Sequence, residues 1–306
     1  MRKVGYIYDD IFLKHDTGKS HPESPERLIS INTFIQDLKD KLILIPPRRA
    51  TVKEISMVHD QYYPQEIMDF CSAGGGYLDP DTHVGEFSYD AAITAVGAGL
   101  EAIDRIKKGE VERVFCAIRP PGHHAEYSKA MGFCIFNNIA VAARYAQKQG
   151  YEKVFIVDFD AHHGNGTQKA FYEDDTVFYF STHQYPFYPG TGSKEEKGTG
   201  RGYGYTYNIP LPAGTSDDTY IDIYSDILPK LVAKFNPDII LVSAGYDLHK
   251  DDPLTYLDVS TEGIGVIVEN ILKSADVPFL FMLEGGYNLT ALGESVKLTI
   301  QKMLEV

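Results

Sequence analysis

One stretch of the chain carries residue types that could bind a metal ion and activate water. The apolar run 154–157 is rich in β-branched and aromatic residues, as in a parallel strand covered on both faces. Asp158, Asp160 and His162 follow it. Because alternate residues of an extended segment point the same way, these three side chains can converge. Carboxylate and neutral imidazole suit Zn²⁺, with water in the open position of a catalytic site.

A simpler interpretation assigns the same residues to helix capping and to a solvated histidine pair, His162 and His163. A single Asp-x-Asp or His-His sequence would favour it. Here the complete string Asp-x-Asp-x-His-His-Gly-Asn-Gly, residues 158–166, directly follows the predicted strand. Ligands of open α/β sheets bind beyond the carboxyl ends of the strands, where this string lies. The pattern therefore favours a site over capping.

Four other apolar segments end in polar motifs in the same way, and most are separated by helical stretches. This alternation predicts an α/β fold with three α/β/α layers around a single, mainly parallel sheet. The adjacent imidazoles after the first of them suggest acid–base chemistry, because imidazole titrates near neutral pH. The segments are 113–118, 176–180, 238–242 and 278–283, followed by His123 and His124, Ser181 to His183, Asp247, and Glu284 to Tyr287.

Three intervening segments have distinct local patterns. The small residues within 88–108 predict a helix that packs closely against the sheet. The segment 74–82 is too rich in glycine and proline for regular structure. The charged run 194–197 lies in a glycine-rich loop and is interpreted as solvated surface.

The composition excludes several classes of protein. The 306 residues are 43% hydrophobic, and no apolar run approaches the length of a membrane span. The N-terminus lacks the apolar region of a secretory signal. Cys71, Cys116 and Cys134 form no Cys-x-x-Cys pair, so we expect a cytoplasmic protein without a disulfide framework or zinc ribbon. A net charge of −14 opposes broad binding to nucleic acid and would attract cationic small molecules or basic peptides.

Together the motifs resemble the zinc-dependent histone deacetylase family of the arginase/deacetylase superfamily, particularly its class II and bacterial members. The resemblance covers nearly the whole chain, so we expect residues 1–306 to form a single deacetylase catalytic domain with an arginase/deacetylase-like fold. The matching motifs are His21 to Glu23, Arg119 to His124, Gly132 and Phe133, Asp158 to Gly166, Phe187 to Gly192, Ser243 to Asp247, and Glu284 to Tyr287.

The resemblance implies a role for each polar motif in amide hydrolysis. Asp160, His162 and Asp247 would bind one zinc ion, although ligand type alone leaves Fe²⁺ and Co²⁺ open. His124 would be the general base and then the general acid, and His123 would assist electrostatically.

Three further residues complete this implied machinery. Asp158 would pair with His123, and Asn165 with His124. Asparagine should leave His124 less basic than aspartate would, because a neutral partner stabilises imidazolium less. Tyr287 would donate its hydroxyl to the developing oxyanion.

The resemblance also implies a narrow acyl-lysine tunnel and structural potassium sites. Phe133 and Tyr188 would form the tunnel walls, the Gly132 carbonyl would accept the substrate amide, and Leu254 would stand at the gatekeeper position. Tyr188 occupies a position where many relatives have phenylalanine. The first potassium site would use Asp158 and Ser181 with carbonyls of Asp160, His162 and Thr182, and the second would use carbonyls near Phe171, Asp174, Val177 and Tyr205.

The implied activity is removal of acetyl or other acyl groups from lysine side chains of peptides or proteins. Hydrolysis of acetylated polyamines is the alternative. The polyamine-specific branch has a glutamate gatekeeper where Leu254 stands, but Asp251 and Asp252 could face the entrance and the acidic charge favours cationic amines. Relatives hold the substrate backbone with an acidic residue from the loop that contains Asp79 and Asp81, and the sequence leaves the choice between them open.

Two less favoured alternatives share the fold. An arginase-type manganese hydrolase would use additional aspartates for a two-metal cluster, and Tyr287 has no role in such an enzyme. An inactive acyl-lysine-binding module is opposed by the presence of His123, His124 and Tyr287.

Overall fold

The computed structural model describes residues 2–306 and contains ten strands. Eight of them form one sheet in which every neighbouring pair runs parallel. The prediction of three α/β/α layers around a parallel sheet is confirmed. The strands are β1 (Val4–Ile7), β2 (Ile43–Ile45), β3 (Gly76–Asp79), β4 (Thr82–Val84), β5 (Arg113–Cys116), β6 (Val154–Asp158), β7 (Val177–Gln184), β8 (Thr206–Leu211), β9 (Ile239–Ala244) and β10 (Phe279–Leu283).

Helices cover the sheet. α4 and α5 pack against each other and against its central strands, whereas α1, α9 and α10 pack side by side. Within residues 2–306, no helix is both long enough and apolar enough to cross a membrane. The helices are α1 (Glu26–Phe34), α2 (Val52–Ile55), α3 (Tyr63–Ser72), α4 (Ser88–Lys107), α5 (Asn138–Lys148), α6 (Asn165–Phe171), α7 (Asp217–Asp222), α8 (Leu228–Phe235), α9 (Thr261–Lys273) and α10 (Leu289–Glu305).

The order of strands in the sheet explains how distant sequence motifs meet. The order is β2-β1-β5-β10-β9-β6-β7-β8, so the five strands predicted to end in polar motifs are the five central neighbours. Every residue of these five strands is buried, as expected for strands covered on both faces. Because all five run in the same direction, their carboxyl ends bring the polar motifs to one edge.

α4 packs as closely as its small residues predict. A Cβ atom added at Gly97 would lie 1.8 Å from the Arg48 carbonyl oxygen, so the loop before α2 touches the helix backbone. A Cβ atom at Gly99, two residues further along α4, would instead meet the Met282 side chain at 2.8 Å.

The prediction of no regular structure for 74–82 is wrong in part. Gly74 and Gly75 have positive φ and form the turn after α3, but β3 and β4 pair as an antiparallel hairpin with an irregularity between Tyr77 and Asp79. The Asp79 carboxylate accepts a hydrogen bond from the Asp81 amide at 3.3 Å and supports the turn between them. The glycines therefore end a helix and begin a hairpin.

Replacing Gly97 with alanine should destabilise the protein, because the new methyl group meets a backbone carbonyl that cannot rotate away. We expect the free energy of unfolding to fall by about 2–3 kcal/mol, as for overpacked cores. Gly99→Ala is the matched control in the same helix. There the flexible end of Met282 can move and the gain of up to about 1 kcal/mol in helix propensity opposes the clash. Urea unfolding that gives equal losses for the two variants would contradict this account.

Candidate active site

Three metal-ligand side chains converge beyond the ends of β6 and β9. One ligand atom each from Asp160, His162 and Asp247 lies within 4.8 Å of the others. His162 Nδ1 is 2.8 Å from Asp247 Oδ2 and 3.2 Å from Asp160 Oδ1. The other carboxylate oxygens accept backbone N–H bonds, from Gly285 to Asp160 and from Ala161 to Asp247, both at 2.8 Å. Backbone groups thus orient both carboxylates.

The donors and the space around them fit a divalent metal ion. Asp160 and Asp247 are buried, and burial together with the Asp160 charge raises the pKa of Asp247. Burial lowers the pKa of His162, but the Asp247 and Asp160 carboxylates outweigh it and raise the pKa to about 10. Two carboxylates and an imidazole suit Zn²⁺, Fe²⁺ or Co²⁺. A Cβ atom at Gly245 or Gly285 would lie 2.0 or 2.6 Å from Asp160 Oδ2, so glycine keeps this space open.

Asp158 does not join this ligand group, although alternation along the strand alone would place it there. Its Oδ2 atom is 3.0 Å from His123 Nδ1 and also accepts the Tyr179 hydroxyl at 3.0 Å, while Oδ1 accepts the Asp160 amide. Burial lowers the pKa of His123, but Asp158 and Asp160 raise it to about 10. The geometry therefore favours a charged His123.

His124 is held in the opposite protonation state. Burial, with His123 and His162 nearby, lowers the pKa of His124 well below its usual value. Its Nδ1 atom is 2.8 Å from Asn165 Oδ1, and the Asn165 amide nitrogen donates to Glu126 at 3.0 Å. Because that orientation makes the Asn165 oxygen the acceptor, Nδ1 of His124 carries the hydrogen. Nε2 of neutral His124 is then free to accept a proton.

Glu284, which the sequence motif contains but to which no role was given, fixes the backbone of the histidine pair. Its Oε2 atom accepts the amides of Gly122 and His123 at 2.7 and 3.1 Å, and its Oε1 atom accepts the Ser243 hydroxyl. Burial raises the pKa of Glu284 to about 7. This carboxylate joins the ends of β9 and β10 to the loop that follows β5.

Arg27 is a second residue that sequence reasoning missed, and it supports Tyr287. Its guanidinium donates to the Gly286 and Glu284 carbonyls at 2.7 and 2.6 Å and lies 5.0 Å from the Tyr287 ring centre. Arg27 is paired with Glu23, which also binds Arg119. Burial raises the pKa of Glu23, but the two arginines lower it to about 2. The available signal was the position of Arg27 four residues after Glu23, the last residue of the motif that begins at His21.

Asp160 and His162 of the ligand group line a cavity of about 230 Å³ together with His123 and His124. Phe133 packs edge-on to Tyr287 with ring centres 5.8 Å apart, and Tyr188 packs edge-on to His124 at 5.2 Å. Leu254 lines the same cavity. The cavity is thus a narrow, largely aromatic channel that ends on charged and titratable groups.

Gly132 also lines the cavity and could not carry a side chain. A Cβ atom there would lie 2.4 Å from His124 Cδ2. The Gly132 carbonyl accepts a bond from the Cys134 thiol at 3.3 Å.

The hairpin places Asp81, and not Asp79, against the cavity. The Asp81 carboxylate accepts the Gly132 amide at 3.2 Å. His21 Nδ1 accepts the Glu23 amide, so Nε2 of His21 carries a hydrogen and donates to the Asp81 carbonyl at 3.2 Å. Of the two aspartates between which the sequence left the choice open, Asp81 is the one that lies at the cavity.

The interpretation of 194–197 as solvated surface is wrong for Glu196. Its Oε1 atom accepts the amides of Gly192 and Ser193, both at 3.0 Å, and its Oε2 atom accepts the Gln168 side chain at 2.6 Å. Gln168 in turn lies 3.0 Å from His163 Nε2. Glu196 thereby ties the loop that carries Tyr188 to α6.

Asp252 also differs from expectation, because it is buried and does not face the entrance. It is 7% exposed, and its carboxylate accepts the backbone amides of Leu254 and Tyr287 at 2.9 and 2.7 Å. Asp251 is the exposed member of the pair.

The residues assigned to potassium sites fall in two places. Asp158 and Ser181 face each other in the register of β6 and β7, although the Ser181 hydroxyl lies 2.8 Å from His183 Nδ1. Thr182 follows in β7, where its hydroxyl contacts Tyr224 at 2.9 Å. In the second set, carbonyls of Phe171 and Tyr205 already accept backbone amides at 3.0 and 2.8 Å, Val177 begins β7, and the Asp174 carboxylate binds Arg144.

Comparison with known proteins identifies the family. A model of the histone deacetylase domain matches residues 21–303. A probable deacetylase of Archaeoglobus fulgidus is 39% identical over 294 residues, which cover 94% of this chain and 82% of that protein. Histone deacetylase 9 of Homo sapiens is 35% identical over 341 residues, covering 98% of this chain and 34% of that protein. A crystal structure of an HDA15 HD domain matches with a TM-score of 0.95 and 35% identity, over 99% of this chain and 88% of that one. The chain belongs to the histone deacetylase family.

Proposed function

We propose that this histone deacetylase-family hydrolase is a zinc-dependent amidohydrolase that removes acetyl or other acyl groups from lysine side chains. The observation that carries the proposal is the ligand group of Asp160, His162 and Asp247, which lies at the narrow cavity that two histidines of opposite protonation and Tyr287 line. The channel has room for an aliphatic chain and has its polar groups at the base, as hydrolysis of a terminal side-chain amide requires. We assign residues 1–306 to one catalytic domain.

Asp160, His162 and Asp247 would hold the metal ion. When bound, Zn²⁺ supplies Lewis acidity that polarises the amide carbonyl and acidifies water. Three protein ligands leave a coordination position for water or substrate.

The protein's own groups divide the proton transfers. Neutral His124 accepts a proton from the attacking water through Nε2 and later returns it to the leaving amine. His123, charged through its pairing with Asp158, stabilises negative charge that develops beside it. The Tyr287 hydroxyl donates to the oxyanion, and Arg27 and Phe133 fix its ring.

Structural potassium ions complete the proposed cofactors. Asp158 and Ser181, with carbonyls of Asp160, His162 and Thr182, would form the first site, and carbonyls near Phe171, Asp174, Val177 and Tyr205 the second.

We also propose that the reaction takes place in a reducing compartment such as the cytoplasm, because Cys71, Cys116 and Cys134 are buried and form no disulfide in the described structure.

Hydrolysis of acetylated polyamines is the second candidate. One observation favours it: the Asp81 carboxylate lies at the cavity and would attract a cationic amine. Two observations oppose it. Leu254, the residue assigned to the gate, is apolar and lines the cavity, and the buried Asp252 turns its carboxylate toward backbone amides.

Hydrolysis of an acetyl-lysine peptide and of an N-acetylated polyamine, measured side by side on metal-reconstituted protein, tests the proposed function. We expect the higher kcat/KM with the peptide, because the apolar gate offers a second ammonium group no partner. A metal count of one catalytic divalent ion per chain would separate this enzyme from an arginase-type two-metal hydrolase. Preference for the polyamine would transfer the assignment to the second candidate. Inactivity on both substrates would reject acetyl as the group removed and indicate another acyl group or a different amide.

Replacing Tyr287 with phenylalanine should lower kcat by about 10²–10³-fold, as removal of one oxyanion donor does elsewhere. KM should change little, because the hydroxyl acts mainly on the developing charge. Tyr77→Phe on the exposed part of the hairpin is the control. Wild-type kcat in Tyr287→Phe, with metal bound, would remove the tyrosine from the mechanism.

Replacing Asn165 with aspartate should move the acidic limb of the pH–rate profile to higher pH. A carboxylate 2.8 Å from His124 Nδ1 would stabilise imidazolium and raise the pKa of His124. Since only neutral His124 can act as base, activity would then appear at a higher pH than in the wild type. Asn270→Asp, on α9, is the control for added charge. An acidic limb that stays in place, or moves to lower pH, would separate Asn165 from the base.

A further inference from the structure

Asp252 is a buried carboxylate that the reaction described above does not use. It lies five residues after Asp247, in the segment that leads from β9 to α9. Its side chain accepts hydrogen bonds from the backbone amides of Leu254 and Tyr287 at 2.9 and 2.7 Å. Burial and the Asp247 charge raise the pKa of Asp252 to about 7, and its bonds to backbone amides oppose that shift. Among the described residues, peptide groups therefore provide its stabilisation.

The start of α10 explains why an anion is stable there. Asn288 caps this helix by accepting the Ala291 amide at 3.1 Å. The Tyr287 amide precedes the first turn, so it has no partner within the helix and donates to Asp252. The N-terminal end of a helix favours a negative charge. An unpaired amide at the start of α10 thus meets a carboxylate acceptor, Asp252, that comes from a separate loop.

The amides that Asp252 binds belong to residues with different places in the cavity. Both residues line the cavity, where Leu254 is the residue assigned to the gate and Tyr287 is the proposed oxyanion donor. Other buried charges also hold the tyrosine loop: Asp160 accepts the Gly285 amide, and Arg27 donates to the Gly286 carbonyl. In the described structure, neither of these groups bonds to Leu254. Asp252 is the side chain that bonds to both the gate and the tyrosine loop.

We propose that Asp252 is a positioning residue that fixes Leu254 and Tyr287 relative to each other. An acyl chain aligned at the gate would then present its carbonyl at the distance that the Tyr287 hydroxyl can reach. The consequence for turnover rests on the proposed function, whereas the link between the two loops does not. Rate and acyl selectivity should accordingly change together when Asp252 is altered.

Asp252→Asn tests the consequence for turnover. The amide replaces one acceptor oxygen with an NH₂ group, which repels a backbone N–H, so the link is broken and both loops loosen. We expect kcat to fall by about 10–100-fold, because displacement of a reacting group by about 1 Å can cost on the order of 10²-fold. The ratio of kcat/KM for acetyl-lysine over butyryl-lysine should change as well. Asp258→Asn, at an exposed aspartate of the same segment, should change neither quantity.

A double-variant comparison separates positioning from general destabilisation. In the Tyr287→Phe background, Asp252→Asn should lower kcat by less than about threefold, because the hydroxyl that Asp252 positions is already absent. Equal fold losses in the two backgrounds would overturn the proposal. Measurements belong well below the Tm of each variant.

Amide hydrogen exchange tests the link without any substrate. Asp252→Asn should accelerate exchange in both 252–256 and 285–289 and leave the central strands protected, and Asp258→Asn should affect neither segment. Acceleration in one segment alone, or throughout the chain, would overturn the link. Asp252→Glu keeps the negative charge but moves it by one methylene group, and it replaces Asp252→Asn in this test if that variant does not fold. It should loosen the same two segments. A wild type inactive on acyl-lysine with both segments loosened in the variant would reject the proposed function and keep the link.

Discussion

Two carboxylates buried side by side are the constraint on which the site depends. Asp160 and Asp247 lie at the end of a sheet whose central strands are buried, and the removal of such charges from water is energetically unfavourable. The fold offsets that cost with His162 between them and with backbone amides from Ala161 and Gly285. A bound divalent ion would complete the compensation. The same requirement explains the glycines at 245 and 285, since larger residues would displace the carboxylates.

The two histidines beside this pair are held in opposite protonation states. His123 stands between Asp158 and Asp160 and is stabilised as a cation, whereas His124, with the neutral Asn165 as its partner, is kept neutral. Environments that push the pKa values of neighbouring groups apart are characteristic of acid–base chemistry. The different protonation states of His123 and His124 are therefore set by their hydrogen-bond partners, because the two residues are of the same type.

The central strands were predictable from sequence because two signals coincide: a buried apolar run and an abrupt polar end. Parallel direction then brings Asp160, Asp247 and His124 to one edge without knowledge of loop structure. The hairpin of β3 and β4 was not predictable in this way. Its glycines end one helix and begin one strand, and from sequence such a glycine-rich segment resembles an irregular loop. Asp158 shows the limit of strand alternation. Its side chain points to the same side as Asp160, but its carboxylate pairs with His123 instead of joining the ligand group.

Glu196 and Asp252 show a second limit. Each lies in a short charged run that resembles solvated surface, yet each carboxylate binds backbone amides and holds a loop that lines the cavity. The donors are peptide N–H groups, which every residue except proline carries, so no residue type in the sequence marks the partner. The positioning roles of Arg27 and Glu284 were missed for a related reason, because both side chains bond to backbone carbonyls or amides of residues distant in the sequence.

The position of β10 has a consequence for biosynthesis. The last strand in sequence lies between β5 and β9, in the middle of the sheet. A nascent chain that ends before Phe279 therefore lacks the strand that joins the β2-β1-β5 group to the β9-β6-β7-β8 group. The two groups carry His124 and the metal-ligand residues respectively, so neither can form the site alone. Until β10 leaves the ribosome, the two groups expose unpaired strand edges where association with other chains can begin.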